Sequence, residues 1–404
     1  MDLRLPPELE TLKQTVRRIV KEECVPLEQV YLTTPPGQGE EDTEGGEVSG
    51  IGFLPGEHVR RLRQISEETG IYAAHVPAQY GGGGLGAVGH VVVHEETNRS
   101  IVHLPLANVP APLYGNCTPE QEEKYLYPTI RGEKRYAFAQ TEPQAGSDPG
   151  GMMQTRAVRD GDEWVINGTK MFCTNADVAD YILLLAVTDP ERRQRGGITM
   201  FLLDKGTPGV TLAPIRVWTT PLKPRQFFVY LDNVRLPQTQ VLGEVGKGFG
   251  LGQRWLVYHD RLLRGSQALG ILTRSLEMAV EWAKQRVTFG RPLADRQAIQ
   301  WMLVDVYIDI MSLRALTWWT AWRVDQGEDE RVECFLVKYA AAEWGWRSID
   351  KVLQIFGGLG ETLDMPIAHW YHILRHARIG GGTSEIHKFV MARALLGGTV
   401  SWEA

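Results

Sequence analysis

The chain has 404 residues, too many for one ordinary core, so two or three structural units are expected. Hydrophobic residues make up 43% and charged residues 23%, a composition typical of globular proteins. The net charge of −6 argues against a nucleic-acid partner, although a local basic patch could still bind a phosphorylated ligand. No run of eighteen apolar residues occurs, so no membrane partner is expected, and the N-terminus lacks a signal-peptide core. Cys24, Cys117, Cys173 and Cys334 have no CxxC spacing, which predicts free thiols, no metal and a cytoplasmic location.

In chain order, Leu9, Leu12, Val16, Ile19 and Val20 give helical spacing across residues 6 to 32. Residues 33 to 50 are Gly-rich and acidic and read as a surface loop. Helical patterns return from 55 to 132, broken at Pro77 and at the glycine run from Gly81. That run follows no strand of a βαβ unit and precedes no Gly-Lys-Ser/Thr, so it reads as a turn rather than a phosphate loop. Thr118-Pro119-Glu120 reads as a helix start, with Thr118 as N-cap. Glu95 and Glu96 read as a solvated helix face, with a pocket acid as the alternative.

Near 136 the period changes. Trp164-Val165-Ile166, Tyr181 to Val187 and Ile198 to Leu203 are short apolar runs, and Asp160-Gly161-Asp162 and Asn167-Gly168 are hairpin signals. A β unit therefore runs to about 243. Four helical patterns follow, at 251–287, 295–326, 331–356 and 364–396, and they predict a bundle. Trp301, Trp318, Trp319, Trp322, Trp344 and Trp346 recur within it as core or interface packing. The expected organisation is α+β: a helical domain at 1–133, a middle β domain at 134–243 and a helical bundle at 244–404.

Five short motifs carry chemistry. Phe138-Ala139-Gln140-Thr141-Glu142-Pro143-Gln144-Ala145-Gly146-Ser147-Asp148 combines small residues, whose backbone amides approach a ligand closely, with hydroxyl donors. Phe172 and Thr174 follow on a strand pattern. Arg286-Val287-Thr288-Phe289-Gly290 ends a helix with a guanidinium suited to phosphate. Gln354-Ile355-Phe356-Gly357-Gly358-Leu359-Gly360 and Arg378-Ile379-Gly380-Gly381-Gly382-Thr383-Ser384-Glu385 complete the set.

In this order the motifs resemble the acyl-CoA dehydrogenase family, from about residue 5 to 398. The resemblance implies a β-barrel-like middle domain, a C-terminal four-helix bundle and FAD at the domain junction. It assigns Phe138, Thr141 and Ser147 to the flavin, with Ser147 also near the thioester arm of the substrate. Phe172 would cover one flavin face, where the family usually has Trp, and Thr174 would approach N5. Arg286, Thr288, Phe289, Gln297, Gln354 and Gly358 would reach the FAD of a neighbouring subunit, so a homo-oligomer, dimer or tetramer, is implied. Thr383 and Glu385 would contact the ADP portion from their own subunit. Acyl-CoA, or an acyl carrier, would be the substrate and an electron-transfer flavoprotein the electron acceptor.

The reaction needs a base to remove the Cα proton while hydride leaves Cβ, and hydrogen bonds to hold charge on the thioester oxygen. Most family members place a Glu where this chain has Gly381, whose N–H remains a donor. A branch resembling isovaleryl- and long-chain acyl-CoA dehydrogenases carries the acid on an earlier helix, and its spacing lands on Asp260, followed by Arg261. Asp260 as base and Asp260 as the ion-pair partner of Arg261, Arg264 or His259 both stay open. A base of this kind is expected to have a pKa raised by desolvation. Arg261 would organise the thioester or CoA arm. A nitroalkane oxidase-like flavin oxidase or monooxygenase, and a non-catalytic flavin-binding relative, are the alternatives on the same fold.

Overall fold

The computed structural model describes residues 4–34, 52–218 and 223–400. The acidic loop expected at 33–50 lies, from 35 onward, outside them. The chain forms two compact units, one containing 52–106 and 257 onward together with the N-terminal segment, the other 107–256.

The first unit is helical. α1 (Pro7–Ile19) starts with proline at its first position and carries Glu8 and Glu10 in its first turn, which suits the helix dipole. α2 (Gly56–Glu68) and α3 (Ala87–Thr97) follow, joined by the glycine run. That run is a tied turn: Gly83 N–H donates to Ala73 O and Gly84 N–H to Val76 O. The long helices are α4 (Leu262–Gln285), α5 (Gln297–Asp325) and α6 (Arg331–Phe356). The pattern expected as one helix over 364–396 is two, α7 (Ile367–His376) and α8 (Ser384–Leu396). The first ends at His376, the linker beyond it passes through the left-handed Gly381 and Gly382, and Thr383 Oγ1 caps the second by accepting from Ile386 N–H.

Glu95 and Glu96 correct the expectation of a solvated face. Both are buried. Glu95 Oε1 accepts from Arg314 Nη2 at 2.6 Å, and Glu96 takes two bonds from Arg17, at 2.7 and 2.9 Å. Each carboxylate is balanced by an arginine from another helix, which makes burial tolerable and joins α3 to α5 and α1.

Among its described residues the second unit holds eight strands: β1 (Tyr136–Ala139), β2 (Arg156–Asp160), β3 (Glu163–Thr174), β4 (Tyr181–Val187), β5 (Ile198–Asp204), β6 (Val210–Ile215), β7 (Gln226–Pro237) and β8 (Val241–Leu242). Their order is β6-β7-β3-β2-β4-β5-β8, with β1 parallel to β4. β4 is buried along its whole length, as its unbroken apolar run requires. The core gathers Ile166, Leu184, Phe201, Val229 and Leu236.

Asp160-Gly161-Asp162 forms the β2–β3 hairpin as expected, whereas Asn167-Gly168 lies inside β3. The register with β7 shifts there, and a Cβ on Gly168 would stand 2.4 Å from Thr155 Oγ1. The glycine marks a bulge under close packing, not a turn. Thr118 makes a full capping box with Gln121, and the short helix Gly248–Trp255 closes the unit.

Candidate active site

A π turn, Leu256–Arg261, leads into α4 and carries His259, Asp260 and Arg261. Such turns carry one extra residue and re-aim side chains. Asp260 Oδ1 accepts from Arg264 Nη2 at 2.9 Å. Its other oxygen, Oδ2, is buried with no hydrogen-bond partner among the described residues. One oxygen is thus held by Arg264, the ion-pair partner expected among the alternatives, and the other carries no hydrogen bond.

The available oxygen faces the glycine run between α7 and α8. A Cβ on Gly381 would lie 2.5 Å from Asp260 Oδ2, and one on Gly380 would lie 2.6 Å from His376 Nε2. The space in which residue 381 would begin a side chain is filled by the Asp260 carboxylate. The loop is pinned from α6: buried Lys338 Nζ donates to Ala377 O at 2.5 Å and to Gly382 O at 2.6 Å. Glu343 accepts from Arg378 and Ser384, fixing the loop's flanks.

The electrostatics reverse one expectation. Burial pushes the Asp260 carboxyl up, but Arg264, Arg261 and Lys338 together hold it below the ordinary aspartate value of 3.8. Burial pulls Lys338 down to about 7, against the pull of Asp260 and with the push of Arg264 and Arg261. It lowers His376 to about 4, helped by Arg264 and Lys338. Arg261 lies over the Phe335 ring at 4.2 Å, buried, and its Nε and Nη1 have no hydrogen-bond partner among the described residues.

Sequence reasoning passed over Lys338 and His376. Lys338 sits on the same face of α6 as Cys334, Val337 and Ala341, all buried. A lysine on an apolar helical stripe was the signal.

In the second unit, Thr141 and Phe172 come together, because Met171 N–H donates to Thr141 O at 2.9 Å. The loop is anchored by Glu142, which accepts from Lys170 Nζ at 2.8 Å and from the N–H groups of Gln154 and Thr155. Phe172 occupies a register shift of β3 with φ +56° and is 49% exposed. An exposed aromatic ring held in left-handed backbone at a bulge is a strained placement of the kind found at ligand sites. Thr174 Oγ1 accepts from Gln226 at 3.0 Å. Phe138 packs edge-on against Trp255 at 5.0 Å, and Ser147 is exposed.

At one end of the bundle, Trp282 stacks on Phe356 at 5.7 Å, which joins the end of α4 to the end of α6. Arg286, Thr288 and Phe289 stand on the first side of that contact, and Gln354 and Gly358 on the other. Arg286, Phe289, Gln297, Gln354 and Gly358 are exposed, and Phe289 is almost wholly so, at φ +50°. Arg286 makes no ion pair among the described residues and lies over Trp282 at 5.9 Å. Glu385 is exposed in the first turn of α8, next to the cap Thr383.

Family models for the acyl-CoA dehydrogenase N-terminal, middle and C-terminal domains match residues 54–133, 137–224 and 246–396. The chain is 36% identical over 410 residues to (R)-benzylsuccinyl-CoA dehydrogenase of Thauera aromatica, covering 98% of this chain and 97% of that one. It is 32% identical over 408 residues to the mitochondrial short-chain specific acyl-CoA dehydrogenase of Mus musculus, covering 98% and 91%. Its structure is similar to that of butyryl-CoA dehydrogenase from Megasphaera elsdenii, with a TM-score of 0.83, 28% identity and coverage of 98% and 100%. The chain therefore belongs to the acyl-CoA dehydrogenase family and is an FAD-dependent oxidoreductase acting on the CH–CH bond of acyl thioesters.

Proposed function

We propose that Asp260 is the base of an α,β-dehydrogenation of an acyl-CoA. The observation that carries this is the unpartnered Asp260 Oδ2, standing where the side chain of residue 381 would otherwise begin. Arg264 holds Oδ1, so the carboxylate presents Oδ2. That oxygen takes the Cα proton, and the Gly381 N–H donates to the thioester oxygen as charge develops there. Lys338 fixes the carbonyls on both sides of that N–H. The shorter reach of Asp compared with Glu is offset by the missing Cβ at 381, which lets the carboxylate close on the loop. FAD, when bound, supplies the acceptor for the hydride leaving Cβ.

The residues present fit FAD. In the second unit Phe172 offers an exposed ring at a strained bulge, beside Thr141 and Thr174, and Ser147 offers a free-standing hydroxyl on the same loop. Arg286, Thr288, Phe289, Gln297, Gln354 and Gly358 are the residues that would reach a neighbouring subunit's cofactor, and Thr383 and Glu385 the ADP portion of their own. Consistent with a homo-oligomer, α5 exposes Trp301, Val304, Ile308 and Met311, which recur at intervals of three and four on one face. The domain boundaries proposed are 133 and 243; the matched family segments, 54–133, 137–224 and 246–396, support this division. No helix among the described residues is long and apolar enough to cross a membrane. A cytoplasmic location and an electron-transfer flavoprotein as acceptor complete the proposal.

The test is purification under native conditions, a visible flavin spectrum, and anaerobic titration with a panel of acyl-CoAs. Bleaching by an acyl-CoA with formation of the enoyl thioester supports the proposal. Rapid peroxide release without CoA dependence would replace it with an oxidase.

A further inference from the structure

The turn between α7 and α8 carries three glycines in a row, Gly380, Gly381 and Gly382, the last two in left-handed backbone at φ +69° and +103°. Gly380 N–H donates back to His376 O at 3.0 Å, whereas the N–H groups of Gly381 and Gly382 make no hydrogen bond among the described residues. Gly381 is exposed, which leaves room for an incoming acceptor. With no side chain on any of the three, the turn has nothing of its own to pack, and glycine has the most backbone freedom to lose. A donor that stabilises developing charge must be fixed before that charge appears.

The fixing comes from two buried side chains on other elements. Lys338 of α6 is wholly buried, and its Nζ bonds one carbonyl on each side of Gly381, Ala377 O at 2.5 Å and Gly382 O at 2.6 Å. A Cβ on Gly381 would lie 4.0 Å from Lys338 Cε. His387 of α8, also wholly buried, places Nε2 3.0 Å from the same Gly382 O. A carbonyl oxygen only accepts, so Nε2 is the protonated nitrogen. Capping α7 would need only the Ala377 carbonyl, where a cation suits the negative end of the helix dipole. The second lysine bond and the imidazole both land beyond that helix, on Gly382. A buried ammonium is costly, and neutral donors could serve two carbonyls. A charged donor binds about twice as strongly as a neutral one, and its field lies beside the place where negative charge develops.

We infer that Lys338 and His387 are positioning residues for the thioester oxygen: they clamp Gly382 O so that the Gly381 N–H is held rigid, and the lysine charge strengthens that donor's hold on the enolate-like oxygen. The inference rests on the reading of Gly381 N–H as the thioester donor and Asp260 as the base. Neither side chain takes part in the proton or hydride transfer. Burial draws the Lys338 ammonium down to about 7, against Asp260 and Glu343 and with Arg264 and Arg261. The other groups around it change charge elsewhere. His376 and His387 are lowered to about 4 and about 3, and Asp260 and Glu343 are held below ordinary carboxyl values. Burial pushes the Cys334 thiol far up. The rate should therefore fall as pH rises through about 7 and the lysine loses its charge. Glu330, just before α6, is raised by burial and by Glu333, and removing Lys338 separates the two groups.

The experiment uses the FAD-loaded protein with the acyl-CoA that bleaches it fastest, and the matching enoyl-CoA isotope-labelled at the thioester carbonyl. Lys338→Met keeps the length of the side chain and removes its charge. It should lower kcat by about 10²-fold, the cost of a weakened oxyanion donor, with KM changed no more than a few-fold. Its rate profile should lose the limb at about pH 7. The infrared carbonyl band of the bound enoyl-CoA should move back towards its position in free solution, a readout that Asp260 does not touch. His387→Leu should shift kcat and the band in the same directions by a smaller amount, and it decides the matter if Lys338→Met does not fold. Wild-type kcat or an unmoved carbonyl band overturns the inference: Lys338 then only caps α7, and Asp260 as base stands. Failure of every acyl-CoA to bleach the flavin overturns the reading beneath it.

Discussion

Replacing Gly381 with Ala tests how tightly residue 381 and Asp260 share one space. The new Cβ would stand 2.5 Å from Asp260 Oδ2, where ordinary contact begins near 3.4 Å. The carboxylate must therefore retreat by about 1 Å, a misplacement that costs roughly 10²-fold in rate. In barrier terms this is about 2.7 kcal/mol. The backbone adds its own cost: φ is +69°, and a side chain in left-handed backbone is unfavourable by about 1–2 kcal/mol. The melting temperature is expected to fall by about 2–4 °C, since that much destabilisation moves a large domain only slightly. Steady-state kinetics with the best acyl-CoA, normalised to bound flavin, reads the first effect, and thermal melting the second. A variant with full kcat/KM at equal flavin content would show that Oδ2 is not the reacting oxygen.

Arg264→Gln removes the nearest cation from Asp260. A carboxyl with a depressed folded pKa contributes stability above its unfolded value and loses it as pH falls through the folded one. With the cation gone the folded pKa rises, so the acid limb of kcat/KM moves to higher pH, measured as a pH–rate profile; an unmoved limb would contradict the pairing. Phe172→Gly relieves a left-handed residue yet removes the exposed ring. It should leave the apoprotein melting temperature unchanged or slightly raised while weakening flavin retention, followed by absorbance after gel filtration. Lys170→Met leaves Glu142 buried without its cation. It should cost about 3–5 kcal/mol in denaturant unfolding, because an unpaired buried carboxylate is the dominant penalty.

Much of the fold was legible because periodicity and end signals agreed. The capping box at Thr118 and the turn at Gly161 came directly from local chemistry. Asn167-Gly168 misled because the same dipeptide serves a hairpin and a bulge, and only the register with β7 separates them. The pattern over 364–396 hid a break because the apolar period resumes in phase after the glycines. Asp260 was found by counting from another motif, but its depressed pKa was not. That depends on Lys338, 78 positions away in the chain, and on Arg264, one turn along the same helix. The arginines that bury Glu95 and Glu96 come from α5 and α1, so no window around residue 95 contained them.

The most direct test is Asp260→Asn, which keeps the shape of the side chain and removes its basicity. The variant should bind FAD and show its yellow spectrum, and an acyl-CoA that bleaches the wild-type protein anaerobically should bleach it about 10²–10⁴-fold more slowly, the range over which a positioned base acts. Bleaching at the wild-type rate would mean that another group takes the Cα proton.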